Sequence, residues 1–277
     1  MPRSRASSVA TLLAVTTLIH GDVDVSALIK RSVAATQTDW EAAAHYGYRE
    51  RDVKGTRVET YELTMIEGSP YHRLVARNDE PLQPEEDQKE KAKFEAEVTR
   101  RKQENPEQRA KRLETYQRER DEDHLFLKEM AEAFTYRLLG EDQVDGRSVF
   151  VLDATPRPEY RPPNAKAKVL THMRGKLWID KAEYQWVKVE AEVTAPVSLY
   201  LVAHVGPGSR FVLEQMPVAK DLWLPKRFIM QTRYSVLGVH EKRMEEESYS
   251  DYRLLETGAA ANLSMQPTGS PSSIVCR

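Results

Sequence analysis

The stretch from Gly175 to Leu255 constrains this chain more than any other. It reads GKLWIDKAEYQWVKVEAEV, then SRFVLEQMPVAKDLWLPKRFIMQTRYSVLGV, then HEKRMEEESYSDYRLL. Short runs rich in Val, Trp, Tyr, Phe and Ile are separated by small polar turns, the pattern of a meander of antiparallel strands. Around the turn at Lys181-Ala182, the spacing puts Leu177 and Ile179 on one face with Tyr184 and Trp186. It puts Trp178, Val187, Val189 and Ala191 on the other. Apolar residues on both faces of a sheet predict that something covers each side.

Upstream, Val25, Leu28, Ile29 and Val33 fall at helical spacing and predict an amphipathic helix over Asp24–Gln37. Strands are expected at His45–Lys54, Arg57–Ile66 and Tyr71–Arg77, the last two joined by a turn at Gly68-Ser69-Pro70. Pro84 followed by Glu85, Glu86 and Asp87 is a helix start, with proline in the first turn and carboxylates favoured by the dipole. Asn105-Pro106-Glu107 repeats it. The segment therefore splits into helices at 84–104 and 106–133, with Asn105 capping the second. The first has few apolar residues (Ala92, Phe94, Ala96, Val98) and is expected to be largely solvated. The second becomes amphipathic only late, at Leu113, Tyr116, Leu127, Met130, Ala131 and Phe134. Residues 85–132 hold 15 acidic and 12 basic residues in 48 positions. That mixture reads as a solvated helical insertion laced with i,i+4 pairs rather than a partner-binding arm.

Strands resume at Phe134–Leu139 and Ser148–Asp153 about a turn at Asp145-Gly146. TPRPEYRPPN (Thr155–Asn164) must be extended and reads as a stiff strap crossing a sheet edge. Gly206-Pro207-Gly208-Ser209 reads as a hairpin turn, and residues 257–277 as a disordered tail.

Residues 1–21 look like a secretory signal: Arg3 and Arg5 precede an eleven-residue apolar run, Val9–Ile19. A bilayer span needs roughly 20 residues, so cleavage near Asp22 and a mature chain without a transmembrane segment are expected. The one cysteine, Cys276, excludes an internal disulfide framework. Net charge is −2, which gives no nucleic-acid footprint. The seven histidines are scattered singly, no G-x-S-x-G elbow is present, and Glu190/Glu192 read as the outward alternation of a strand. The chain is therefore not expected to be an enzyme, and no cofactor or metal is expected.

The segments YELTMIEGSPYHRLVARNDEPL, TPRPEYRPPNAKAKVLTHMRGKLWIDKAEYQWVKVEAEV and DLWLPKRF resemble the bacterial outer membrane lipoprotein-sorting proteins, with LolA/LolB-type carriers as the wider group. The resemblance implies one domain over 22–256. Its fold would be α+β, a strongly curved antiparallel half-barrel with helices closing the open side; the charged helical insertion at 84–133 is where this sequence departs from the carriers. It also implies a periplasmic carrier whose partner is a lipid or lipidated protein. Each methylene withdrawn from water is worth about 0.8 kcal/mol, so an acyl chain does not cross water unshielded. The expected ligand-binding residues are Leu177, Ile179, Trp186, Phe211, Leu213, Phe228 and Met230. The alternative is an envelope sensor or structural protein that uses the same fold to bind a polypeptide partner.

Overall fold

The computed structural model describes residues 23–164, 166–200, 203–236 and 239–255. The expected signal and tail lie outside the described residues. Within them the chain builds one open antiparallel sheet whose main path has eleven strands. Strands β1 (Tyr46–Lys54), β2 (Arg57–Ile66), β3 (Ser69–Arg77) and the short β4 (Glu80–Pro81) form one end. Strands β5 (Phe134–Val144), β6 (Arg147–Pro156), β7 (Met173–Asp180) and β8 (Trp186–Val193) form the other. Strands β11 (Arg210–Ala219), β12 (Leu222–Val236) and β13 (Val239–Leu254) join them, in the order β4-β3-β2-β1-β13-β12-β11-β8-β7-β6-β5. The first and last strands of the domain are therefore neighbours, with Asp52 opposite Glu247. The alternation of β-branched and aromatic residues predicted the antiparallel strands, and their open arrangement is the half-barrel that the resemblance implied.

Two short strands, β9 (Val197–Tyr200) and β10 (Ala203–Val205), lie off this path. Strand β10 pairs with β12 at Tyr234–Val236, and β11 pairs with the same edge of β12 from Gln231 onward. Gly206–Ser209 is thus not a hairpin turn. It is a buckle between two strands that run alongside one partner, stapled by Gly206 N donating to Arg233 O at 2.6 Å and Arg233 N donating to Ser209 Oγ at 2.9 Å.

Helix α1 (Val25–Ala43) is longer than its apolar spacing suggested; Asp24 caps it by accepting from Ala27 N. Its buried Leu28 and Ile29 pack on Leu152, Leu177, Ile179 and Trp186, which defines the inner face of the sheet. Asp39, 3% exposed, ties the helix to β12 by accepting from Trp223 N at 3.1 Å. Burial pushes its carboxyl up to about 6. A smaller cluster of Val149, Val187 and Trp223 lies on the opposite face of the same strands. Cover on both faces is therefore real, but its membership differs from the simple alternation. Ile179 pairs with Trp186 while Trp178 pairs with Lys188, a bulge at Val187. The extra residue flips the phase, so Val189 and Ala191 join the inner face instead of the outer one.

Helices α2 (Pro84–Lys102) and α3 (Pro106–Ala133) fall where the proline and carboxylate signals placed them. Asn105 forms a full capping box with Gln108. Phe134 begins β5 rather than ending α3. Helix α2 is solvated apart from two anchors that the composition did not announce. Phe94 packs edge-on against Tyr71, and Arg101 is 8% exposed. The Arg101 guanidinium donates to the carbonyls of Ile66, Ser69 and Pro70 and to Ser69 Oγ at 2.8–3.1 Å, with Glu97 as its counter-ion. Arg112 adds Ser69 Oγ, Glu67 O and Glu104. Tyr71 and Arg73 alternate with the inner-facing His72 and Leu74, so α2 lies against the outer side of β3. Helix α3 then crosses to α1, where Arg120 donates to Trp40 O and His124 stacks on the Trp40 ring. The proline-rich strap ends β6 at Pro156 and then folds onto α3, Tyr160 donating to Glu129 at 2.6 Å. None of the described helices is long and apolar enough to cross a membrane.

Candidate functional site

Directly opposed residues of an antiparallel sheet share a face, so the registers define continuous rows across the inner side. One row runs Leu152, Leu177, Val189, Leu213, Phe228, Glu247, Asp52, Glu59, Arg77. The next runs Ala154, Gly175, Ala191, Phe211, Met230, Glu245, Lys54, Arg57. Both begin apolar and end charged, and the change falls between β12 and β13.

All seven residues singled out in the sequence lie on this face, but in two settings. Leu177, Ile179 and Trp186 are at most 1% exposed and are sealed beneath α1. Phe211 is partly covered by the cluster around Met173 and Val193. Leu213, Phe228 and Met230 are only half-buried. The inner face is thus a filled core at β6–β8 and an open apolar trough at β11–β12.

The polar end of the trough was not found by sequence reasoning. Glu50, Asp52, Glu59, Glu245 and Glu247 gather there from β1, β2 and β13, with Tyr48, Tyr249 and Tyr252 among them. Glu59 accepts from Tyr61 at 2.7 Å and is ion-paired to Arg77 and Arg57; Glu245 is paired to Arg243. Asp52 Oδ2 is held by Lys54 at 2.7 Å, while its Oδ1 is buried without a hydrogen-bond partner. Glu247 accepts from the Tyr249 hydroxyl at 2.6 Å. Burial, then repulsion from Glu247 and Asp52, pushes the Glu50 carboxyl up to about 7. The same burial raises the Tyr48, Tyr249 and Tyr252 hydroxyls and lowers His72, whose Nε2 lies 3.6 Å from Glu50. The Tyr48-x-Glu50-x-Asp52 alternation was the available signal. It carried no meaning until β13 was known to lie beside β1. Among the described residues no three His, Cys, Asp or Glu side chains are grouped so as to hold a metal ion.

A second concavity, a cleft of 740 Å³, opens between α1 and the end of α3 over Val25, Ile29, Val33, Ala131 and Tyr136. That volume falls in the range of small-molecule sites. Two of its rim groups are already engaged in holding the fold, Arg157 on Phe134 O and Glu129 on Tyr160.

No family model and no curated protein matches this chain. Solved structures do. An outer membrane lipoprotein-sorting protein domain from Vibrio parahaemolyticus is 14% identical, with 84% of this chain and 96% of that one covered, at a TM-score of 0.33. A LolA superfamily protein from Nitrosomonas europaea is 10% identical, with coverages of 85% and 95% and a TM-score of 0.32. MucB of Pseudomonas aeruginosa, in its complex with MucA, is 13% identical, with coverages of 85% and 100% and a TM-score of 0.23. The chain is similar to LolA-superfamily and lipoprotein-sorting proteins of known structure. What those neighbours carry or bind is a property of those proteins.

Proposed function

We propose that this chain is a periplasmic carrier that shelters an apolar chain, a lipid or the anchor of a lipidated protein, in the trough at Phe211, Leu213, Phe228 and Met230. The observation that carries the reading is the break in cover along one continuous row. Leu177 is sealed at 1% exposure, while Leu213 and Phe228, further along the same row, remain half-buried. Apolar rows on the inner face of a sheet are stable when they are covered, and an acyl chain laid across β11–β12 supplies that cover. Binding requires no nucleotide and no metal, because withdrawal of methylenes from water drives it.

The test pairs denaturant melts with uptake of a fluorescent fatty acyl probe. Leu177→Ala removes packed core and is expected to cost about 2–5 kcal/mol of stability. Leu213→Glu and Phe228→Glu are expected to fold and to lose the probe. If both glutamate variants retain the probe at unchanged affinity, the trough is not the binding site. Native mass spectrometry of protein purified from its own envelope then names the cargo; a bound polypeptide without acyl species would replace the lipid reading.

A further inference from the structure

Building on the trough reading, we infer that the polar end of the ligand is cationic: a primary ammonium on an alkyl chain, received by Glu50, Asp52 and Glu247. The apolar row meets the carboxylates without a break. Phe228 sits directly opposite Glu247, and Glu247 directly opposite Asp52, so a chain lying on Leu213 and Phe228 delivers its head group to these oxygens. Opposed side chains in such pairs have Cβ atoms about 5 Å apart, within reach of one head group.

Neighbouring carboxylates of the cluster are neutralised from within the protein, Glu59 by Arg57 and Arg77 and Glu245 by Arg243. Glu50 and Glu247 differ: among the described residues neither has a lysine or arginine within ion-pair distance, and Lys54, seated on Asp52, acts on both only from further away. The neighbour of Glu50 is His72, which burial holds toward its neutral form. Asp52, only 8% exposed, is paired to Lys54 through Oδ2, but its buried Oδ1 adds an oxygen with no hydrogen-bond partner. Three carboxylate acceptors match the three donors of an alkylammonium. The ring of Tyr48 meets those of Tyr249 and Tyr252 at centroid distances of 5.5 and 5.4 Å, and these π surfaces attract the same charge. A carboxylate or phosphate head group at this position would face several carboxylates with one ammonium, that of Lys54, to offset them. The chemistry at this end therefore selects among amphiphiles that the apolar rows alone would treat alike.

The experiment compares dodecylamine, dodecanol and laurate, below their micellar concentrations, by calorimetry on the wild-type protein and on Glu50→Gln/Glu247→Gln at mildly alkaline pH. Dodecylamine is expected to bind wild type about ten-fold more tightly than dodecanol, the equivalent of one charge-assisted hydrogen bond. Laurate is expected to bind most weakly, and the ammonium preference should fall toward unity in the double variant. Near-equal affinities for all three in wild type, or a preference that survives the double substitution, would overturn this inference while leaving the lipid trough intact. If none of the three amphiphiles binds wild type, both the trough reading and this inference fall together.

Discussion

Glu50→Gln makes the sharpest test of the electrostatics at the inner face. In the folded chain the Glu50 carboxyl is raised from 4.5 to about 7, by burial first and then by Glu247 and Asp52. The folded state thus holds a proton that the unfolded chain releases more readily. The stability contributed by that proton is complete below pH 4.5 and is lost as pH climbs through 7. The full shift corresponds to about 3 kcal/mol at 1.36 kcal/mol per unit, and the side chain is only 17% exposed, so little is lost to solvent screening. Glutamine has no charge to bury. Relative to wild type, Glu50→Gln should gain about 2–3 kcal/mol between roughly pH 5 and roughly pH 8. Urea melts at the two pH values, with m-values compared to confirm two-state behaviour, provide the measurement. An offset between the two proteins that is the same at both pH values would show that Glu50 titrates as an ordinary exposed carboxylate. The carboxylate end of the trough would then not be desolvated.

Two further outcomes follow from the packing. Replacing Arg101 by leucine leaves the carbonyls of Ile66, Ser69 and Pro70 without their donor, a loss of about 3 kcal/mol; hydrogen exchange over 84–102 should accelerate, and unchanged protection there would mean that α2 is held by something else. Gly175→Ala places a Cβ 2.3 Å from Glu190 O and should cost about 1–3 kcal/mol through overpacking; a thermal melt equal to wild type would show that the β7–β8 pairing yields more readily than its register implies.

Local chemistry was legible in the sequence wherever a single stretch carried the information. Pro84 and Pro106 with their following carboxylates, and Asn105 as a cap, marked the starts of both helices to the residue. Asp145 and Gly146, both in the left-handed region, marked a strand turn. Information shared between distant segments was not legible. The bulge at Val187 depends on how β7 and β8 settle against each other, and it reversed the faces of Val189 and Ala191. The carboxylate cluster depends on β1 lying beside β13, which brings Glu50 and Glu247 together across nearly the whole domain. Arg101 stood inside a run of charges and looked like one more solvated residue. Only the buried carbonyls at the end of the β2–β3 hairpin give it a purpose. Of the seven apolar residues chosen for the ligand, alternation grouped those within one hairpin, but their common face followed from the Val187 bulge and the strand registers. Their division into sealed and open sets followed from where α1 comes to rest.

Helix α3 touches three parts of the molecule in succession. Near its start, Arg112 grips the hairpin turn of β2 and β3; midway, Arg120 and His124 clasp Trp40 of α1; at its end the chain passes directly into β5. Twenty-eight residues of helix make a rod about 42 Å long. It spans from one end of the sheet to the other like the string of a bow. The two ends of an open sheet are otherwise free to spread. Here they can spread only if the string bends, slips from Trp40 or lets go of the hairpin. The stiffness of the open sheet is therefore set by a charged helix on its border as much as by its own ladder of strands.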